Sequence, residues 1–104
     1  MIIAITGGNG FIGRRLVKHH IQNGDQVRLL SRKSTLSENK AEVFVGDLTN
    51  PKVDLINFLE GVDILYHCAG EVNDESLMQN LHVHGTHRLI YFAKDRVGRW
   101  IQLS

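Results

Sequence analysis

The sequence predicts an α/β fold built on a doubly wound parallel sheet, and three observations predict it. Short β-branched runs alternate with longer stretches of helical spacing along the whole chain. The first such run, Ile2 to Thr6, is continuously apolar up to its last residue, as suits a strand buried on both faces. It opens directly into a glycine cluster that runs on into a helical pattern. About five strands are expected, in the order 3-2-1-4-5, joined by right-handed crossovers with helices on both faces.

In chain order, the strand Ile2 to Thr6 comes first. Phe11 to Asn23 then carries Phe11, Ile12, Leu16, Val17 and Ile21 at helical spacing, and Asn23-Gly24 supplies the stop. Val27 to Leu30 is a second strand, and the polar stretch Ser31 to Asn39 reads as a loop. Val43 to Val45 is a third strand, closed by Gly46-Asp47. Pro51 opens a short helix through Leu59, with Asn50 as its cap and Gly61 beyond its end. Val62 to Cys68 is a fourth strand. From Ser76 to about Arg96, Leu77, Leu81, Leu89, Phe92 and Ala93 predict a long helix. Trp100 to Leu103 is a fifth strand.

The segment Thr6-Gly7-Gly8-Asn9-Gly10-Phe11-Ile12-Gly13 lies between the first strand and the first helix. A glycine pattern carries weight only in that setting. Gly7 permits the tight turn out of the strand, Gly10 removes a side chain where a pyrophosphate approaches, and Gly13 lets the helix pack closely. Free N–H groups and the positive end of the helix dipole then face the anion. The bland alternative is a plain strand-to-helix connection, which needs fewer glycines.

Folds of this kind usually place an acid at the end of the second strand, where it accepts hydrogen bonds from the adenosine ribose. Ser31 holds that place here, followed by Arg32 and Lys33. A carboxylate there repels a ribose phosphate, whereas Arg32 can grip one through charge-assisted hydrogen bonds. Arg14 is a second basic contact. The expected cofactor is therefore NADP, with NAD as the alternative and a solvated basic loop as the bland one.

Bulk properties narrow the rest. The 104 residues leave room for one domain with one core. They are 42% hydrophobic and 22% charged, an ordinary globular balance. A net charge of +1 argues against a nucleic-acid binder that works by broad phosphate neutralisation. The single cysteine, Cys68, excludes an internal disulfide. The apolar amino terminus is too short for a signal or a membrane span, so the expectation is a cytoplasmic protein with no membrane partner. Six histidines bring no Cys pair and no H-E-x-x-H pattern, so no metal site is assigned.

These motifs together resemble the extended short-chain dehydrogenases, also called the NAD-dependent epimerase/dehydratase family. Thr6 to Gly13 matches that family's T-G-x-x-G-x-x-G fingerprint, and the resemblance extends to Asn9, Phe11 and Ile12 as cofactor contacts. Gly46-Asp47-Leu48 matches the motif after the third strand, which implies that Asp47 and Leu48 contact the adenine. Asp63 to Gly70 resembles the fourth strand with its small-residue turn, implying that Cys68, Ala69 and Gly70 lie beneath the nicotinamide ribose. Val83-His84-Gly85-Thr86 is similar to the helix motif N-V-x-G-T, with His82 where the family has asparagine. Trp100 to Ser104 resembles the strand leading to the catalytic serine or threonine.

The resemblance implies a Rossmann-type cofactor domain over residues 1–104, and hydride transfer to or from a carbonyl or hydroxyl carbon of a small-molecule substrate. The family's Tyr-x-x-x-Lys pair does not occur: Gly70 stands four residues after Tyr66, and Asp95 four after Tyr91. No catalytic residue is therefore assigned, and the 104-residue chain is expected to lack turnover and to be the first part of a longer enzyme. Two other readings stay open. One is a non-catalytic module that senses NADP or contacts a protein; the other is a fragment that associates through an uncovered edge, which allows a homo-oligomer.

Overall fold

A computed structural model describes residues 1–7, 11–31, 41–48, 53–68 and 85–102. Five parallel strands form one sheet in the order β3-β2-β1-β4-β5: β1 (Ile2–Thr6), β2 (Gln26–Ser31), β3 (Glu42–Val45), β4 (Ile64–His67) and β5 (Arg99–Gln102). The central strand β1 pairs Ile3 with Val27 on one side and Ile64 on the other. This is the expected topology, and its strand order reverses between β1 and β4.

Alternation along the strands divides the core in two. Ile3, Ile5, Val27 and Leu29 point to one face, where Val17 of helix α1 (Phe11–Gln22) covers them. Ala4, Leu30 and Leu65 point to the other. There they meet Leu55, Phe58 and Leu59 of α2 (Leu55–Leu59) and Leu89 and Ala93 of α3 (Thr86–Ala93). Successive side chains in a strand point to opposite faces, so an unbroken apolar run supplies both layers.

Several boundaries differ from the sequence expectations, each for a local reason. The short helix begins at Leu55, with Val53 and Asp54 outside it, because Asp54 is its cap: Asn57 N–H donates to Asp54 Oδ1 at 3.2 Å. Asn50 and Pro51 lie outside the described residues. Past this helix Gly61 takes φ +73°, as a stop requires. Arg28, reaching across from β2, donates to the carbonyls of Phe58 and Glu60 and so neutralises the negative end of α2.

The long helix, where described, runs only from Thr86 to Ala93. Its C-cap Lys94 turns extended, Asp95 adopts φ +67°, and the Arg96 and Val97 N–H groups fold back onto Ala93 O. Residues Ser76 to His84 lie outside the described set. Ser31 is not a loop residue but the buried end of β2. Strand β4 is shorter than Val62 to Cys68, and Cys68 is half-buried just beyond it rather than enclosed within it. Strand β5 starts one residue earlier than expected, at Arg99, and Leu103 is outside the described residues.

Candidate functional site

All five strands point the same way, so their carboxyl ends share one edge of the sheet. β1 delivers Thr6 and Gly7 there, β2 delivers Ser31, β3 leads to Gly46, Asp47 and Leu48, and β4 leads to Cys68. The helix α1 begins at the same edge. Ligands in open α/β sheets bind in the crevice outside this edge, where the strand order reverses. Here that point lies between β1 and β4.

Gly7 adopts φ +70°, a left-handed conformation that L side chains rarely take. The chain thereby leaves β1 abruptly and re-enters as α1 at Phe11. The first turn of α1 carries no acidic residue, so the helix's own side chains there do not oppose an anion at its positive end. Phe11 and Ile12 are exposed there, Gly13 is buried against the sheet, and Arg14 and Arg15 are exposed. The Arg15 guanidinium lies 4.5 Å from the centre of the Phe11 ring. These features fit a diphosphate: a left-handed glycine at the end of β1 and a first helical turn that carries no carboxylate.

On the β3 side, Gly46 has no room for a side chain, because a Cβ would come within 2.6 Å of Val53 Cγ2. Its N–H donates to Ser31 O at 2.8 Å, which ties the ends of β2 and β3 together. Asp47 is half-buried and Leu48 is buried in the core. Among the sequence-assigned residues, Gly7, Phe11, Ile12, Gly13, Ser31, Asp47, Leu48 and Cys68 all reach this edge. Asn9, Gly10, Arg32, Ala69 and Gly70 lie outside the described residues.

Sequence reasoning missed what supports the edge from beneath. His67, 1% exposed, places Nδ1 2.7 Å from Thr6 Oγ1 and Nε2 2.9 Å from Thr86 Oγ1. The role of each ring nitrogen depends on the tautomer, and a threonine hydroxyl can donate or accept to match. The link joins the ends of β1 and β4 to the start of α3. Period-two alternation puts His67 on the same face as Leu65, which was legible; its partners, 61 and 19 residues away, were not. Gly85 packs closely on Leu48 just beyond β3, where a Cβ would stand 3.1 Å from Leu48 Cβ.

Away from the edge, His20 Nδ1 donates to Asp25 Oδ2 at 2.8 Å and its Nε2 lies 3.1 Å from the Tyr66 hydroxyl. The His20 hydrogen bond is the main reason the Asp25 carboxyl is held below its ordinary range; desolvation opposes it and the Met1 ammonium adds to it. Tyr66 is thus engaged with His20 on the α1 face, and Tyr91 is exposed on α3. No described helix is long and apolar enough to cross a membrane.

The model of the NAD dependent epimerase/dehydratase family matches residues 3–104. The sterol-4-alpha-carboxylate 3-dehydrogenase (decarboxylating) of Mus musculus is 29% identical over 94 residues, covering 88% of this chain and 26% of that protein. A solved short-chain dehydrogenase/reductase superfamily protein from Agrobacterium tumefaciens, with bound NAD, is similar with a TM-score of 0.83 and 27% identity. That match covers 98% of this chain and 32% of the other. The Citrobacter sp. triphenylmethane reductase complexed with NADP(H) gives a TM-score of 0.71 at 26% identity, covering 98% of this chain and 37% of the other. The chain thus spans about a quarter of the length of the curated relative and about a third of the solved ones.

Proposed function

Because the chain belongs to the NAD dependent epimerase/dehydratase family, we propose that residues 1–104 form the cofactor-binding part of a nicotinamide-dependent oxidoreductase or epimerase, with NADP preferred over NAD. One observation carries the reading. Left-handed Gly7 sends the chain from β1 into α1 at the point where the strand order reverses, with no acid in the helix's first turn. A diphosphate set there meets backbone N–H groups and the positive end of a twelve-residue helix. The bound relatives hold NAD in one case and NADP(H) in another, which supports a nicotinamide dinucleotide.

In this reading Gly7, Asn9, Gly10, Phe11, Ile12 and Gly13 enclose the diphosphate, and Asp47 and Leu48 face the adenine. Cys68, Ala69 and Gly70 lie along the nicotinamide ribose. Ser31 in place of an acid, with Arg32 next to it, favours a ribose phosphate. The bound cofactor supplies hydride chemistry, and these residues orient it toward a small-molecule carbonyl or alcohol. They hold no Tyr-x-x-x-Lys pair to move the accompanying proton. The 104-residue chain is therefore expected to bind without turnover, in a cytoplasmic setting. Fluorescence titration with NADPH and NADH tests this: NADPH binds more tightly, and a preference for NADH overturns the phosphate assignment.

A further inference from the structure

Helix α3 and its cap meet Leu48, just past β3, in two ways. A Cβ on Gly85 would stand 3.1 Å from Leu48 Cβ and 3.3 Å from Leu48 O, tighter than side chains ordinarily pack. Three residues on, Arg88 Nη1 donates to that same Leu48 carbonyl. Positions 85 and 88 lie about one helical turn apart and share a face. The absent side chain lets the helix come close, and the guanidinium then fastens the carbonyl it has approached. Leu48, 4% exposed, keeps its side chain in the core beside Leu89.

We infer that Arg88 is a positioning residue for the adenine side of the cofactor crevice, acting through Leu48. This rests on the cofactor reading above, which puts Asp47 and Leu48 against the adenine. A carbonyl held by a charge-assisted hydrogen bond loses its freedom to rotate. The peptide planes that flank Leu48 meet at its Cα and are individually rigid. With the Leu48 side chain anchored in the core and its carbonyl fastened, rotation about the Leu48 Cα is restrained, which limits the direction of its N–H and of Asp47 just before it. A base then binds without first ordering the loop that recognises it, which preserves affinity. Arg88 itself is half-buried beneath that loop and touches no part of the cofactor in this scheme.

The test compares the unaltered chain with R88M, which keeps the stem and removes the donors, and R88K, which keeps a donor. Each is titrated with NADPH and with its deamino analogue, whose hypoxanthine lacks the exocyclic amino group available to Asp47. Thermal midpoints are recorded alongside. The unaltered chain binds NADPH more tightly than the analogue. R88M loses about fivefold for NADPH but less than about twofold for the analogue, and R88K recovers most of the loss. Equal weakening toward both ligands with a lowered midpoint assigns Arg88 to stability alone and overturns the inference. A preference that survives R88M, or that the unaltered chain lacks, overturns it too. If the unaltered chain binds neither nucleotide, the cofactor reading falls and takes this one with it.

Discussion

On the α1 face, His20 sits near the rim, bonded to the Asp25 carboxylate and the Tyr66 hydroxyl. On the opposite face, His67 is enclosed between the hydroxyls of Thr6 and Thr86. The first pairs a histidine with a carboxylate within reach of solvent; the second pairs one with two hydroxyls among core residues. What covers each face explains the contrast. Among the described residues, α1 packs on one side, with polar groups at its end near water, while α2 and α3 pack together on the other. Desolvating a carboxylate costs far more than desolvating a hydroxyl, so burial selects the partner chemistry each histidine can have.

Three measurements can break or sharpen that contrast. The largest effect is expected where two helices close over the sheet. The cost of Leu65→Ala, on the α2 and α3 face, should fall toward the upper end of about 2–5 kcal/mol, and that of Ile5→Ala, equally buried on the α1 face, toward the lower end. Denaturant unfolding decides it, and similar losses at both sites would remove the asymmetry. Next comes Thr86→Val, which preserves shape but deletes the hydroxyl facing His67 Nε2. A loss of about 1–3 kcal/mol is expected; a variant as stable as its parent would reduce the link to mere packing.

The smallest effect concerns Asp25, and its sign follows from the lowered folded value. A carboxyl whose pKa lies below the ordinary 3.8 when folded stabilises the fold above that value. The contribution disappears as pH falls through the folded value. Thermal midpoints of the parent and Asp25→Asn should therefore differ at pH 6 and converge in stronger acid. Curves that stay parallel throughout would show that the His20–Asp25 bond does nothing for stability.

Much of this architecture was legible because it is written in local pattern. The parallel sheet followed from alternating elements and the right-handed crossover rule, its strand order from the Rossmann-type pattern, and Gly7, Gly24 and Gly61 all take the positive φ their turns need. Boundaries were harder. Asp54 rather than Asn50 caps α2, since both are good caps and only the fold decides between them. At the candidate site, motif residues on one short segment were readable, as with Gly46-Asp47-Leu48. What joins distant segments was not: nothing in the spacing of Thr6, His67 and Thr86, or of Leu48 and Arg88, announces that they touch.

The Asp63 carboxylate accepts the Ile2 N–H at 2.7 Å across a sequence separation of 61, and β1 pairs with β4 immediately beyond. The middle of the sheet is thus closed by partners made some sixty residues apart. During translation, β1 can dock with β2 early but must wait for some sixty further residues before its second edge is covered. Until then a strand that is buried from Ile3 to Thr6 in the folded chain offers unpaired amides and isoleucines to any neighbour, so chaperone demand and inclusion-body formation should depend on how fast the ribosome delivers β4.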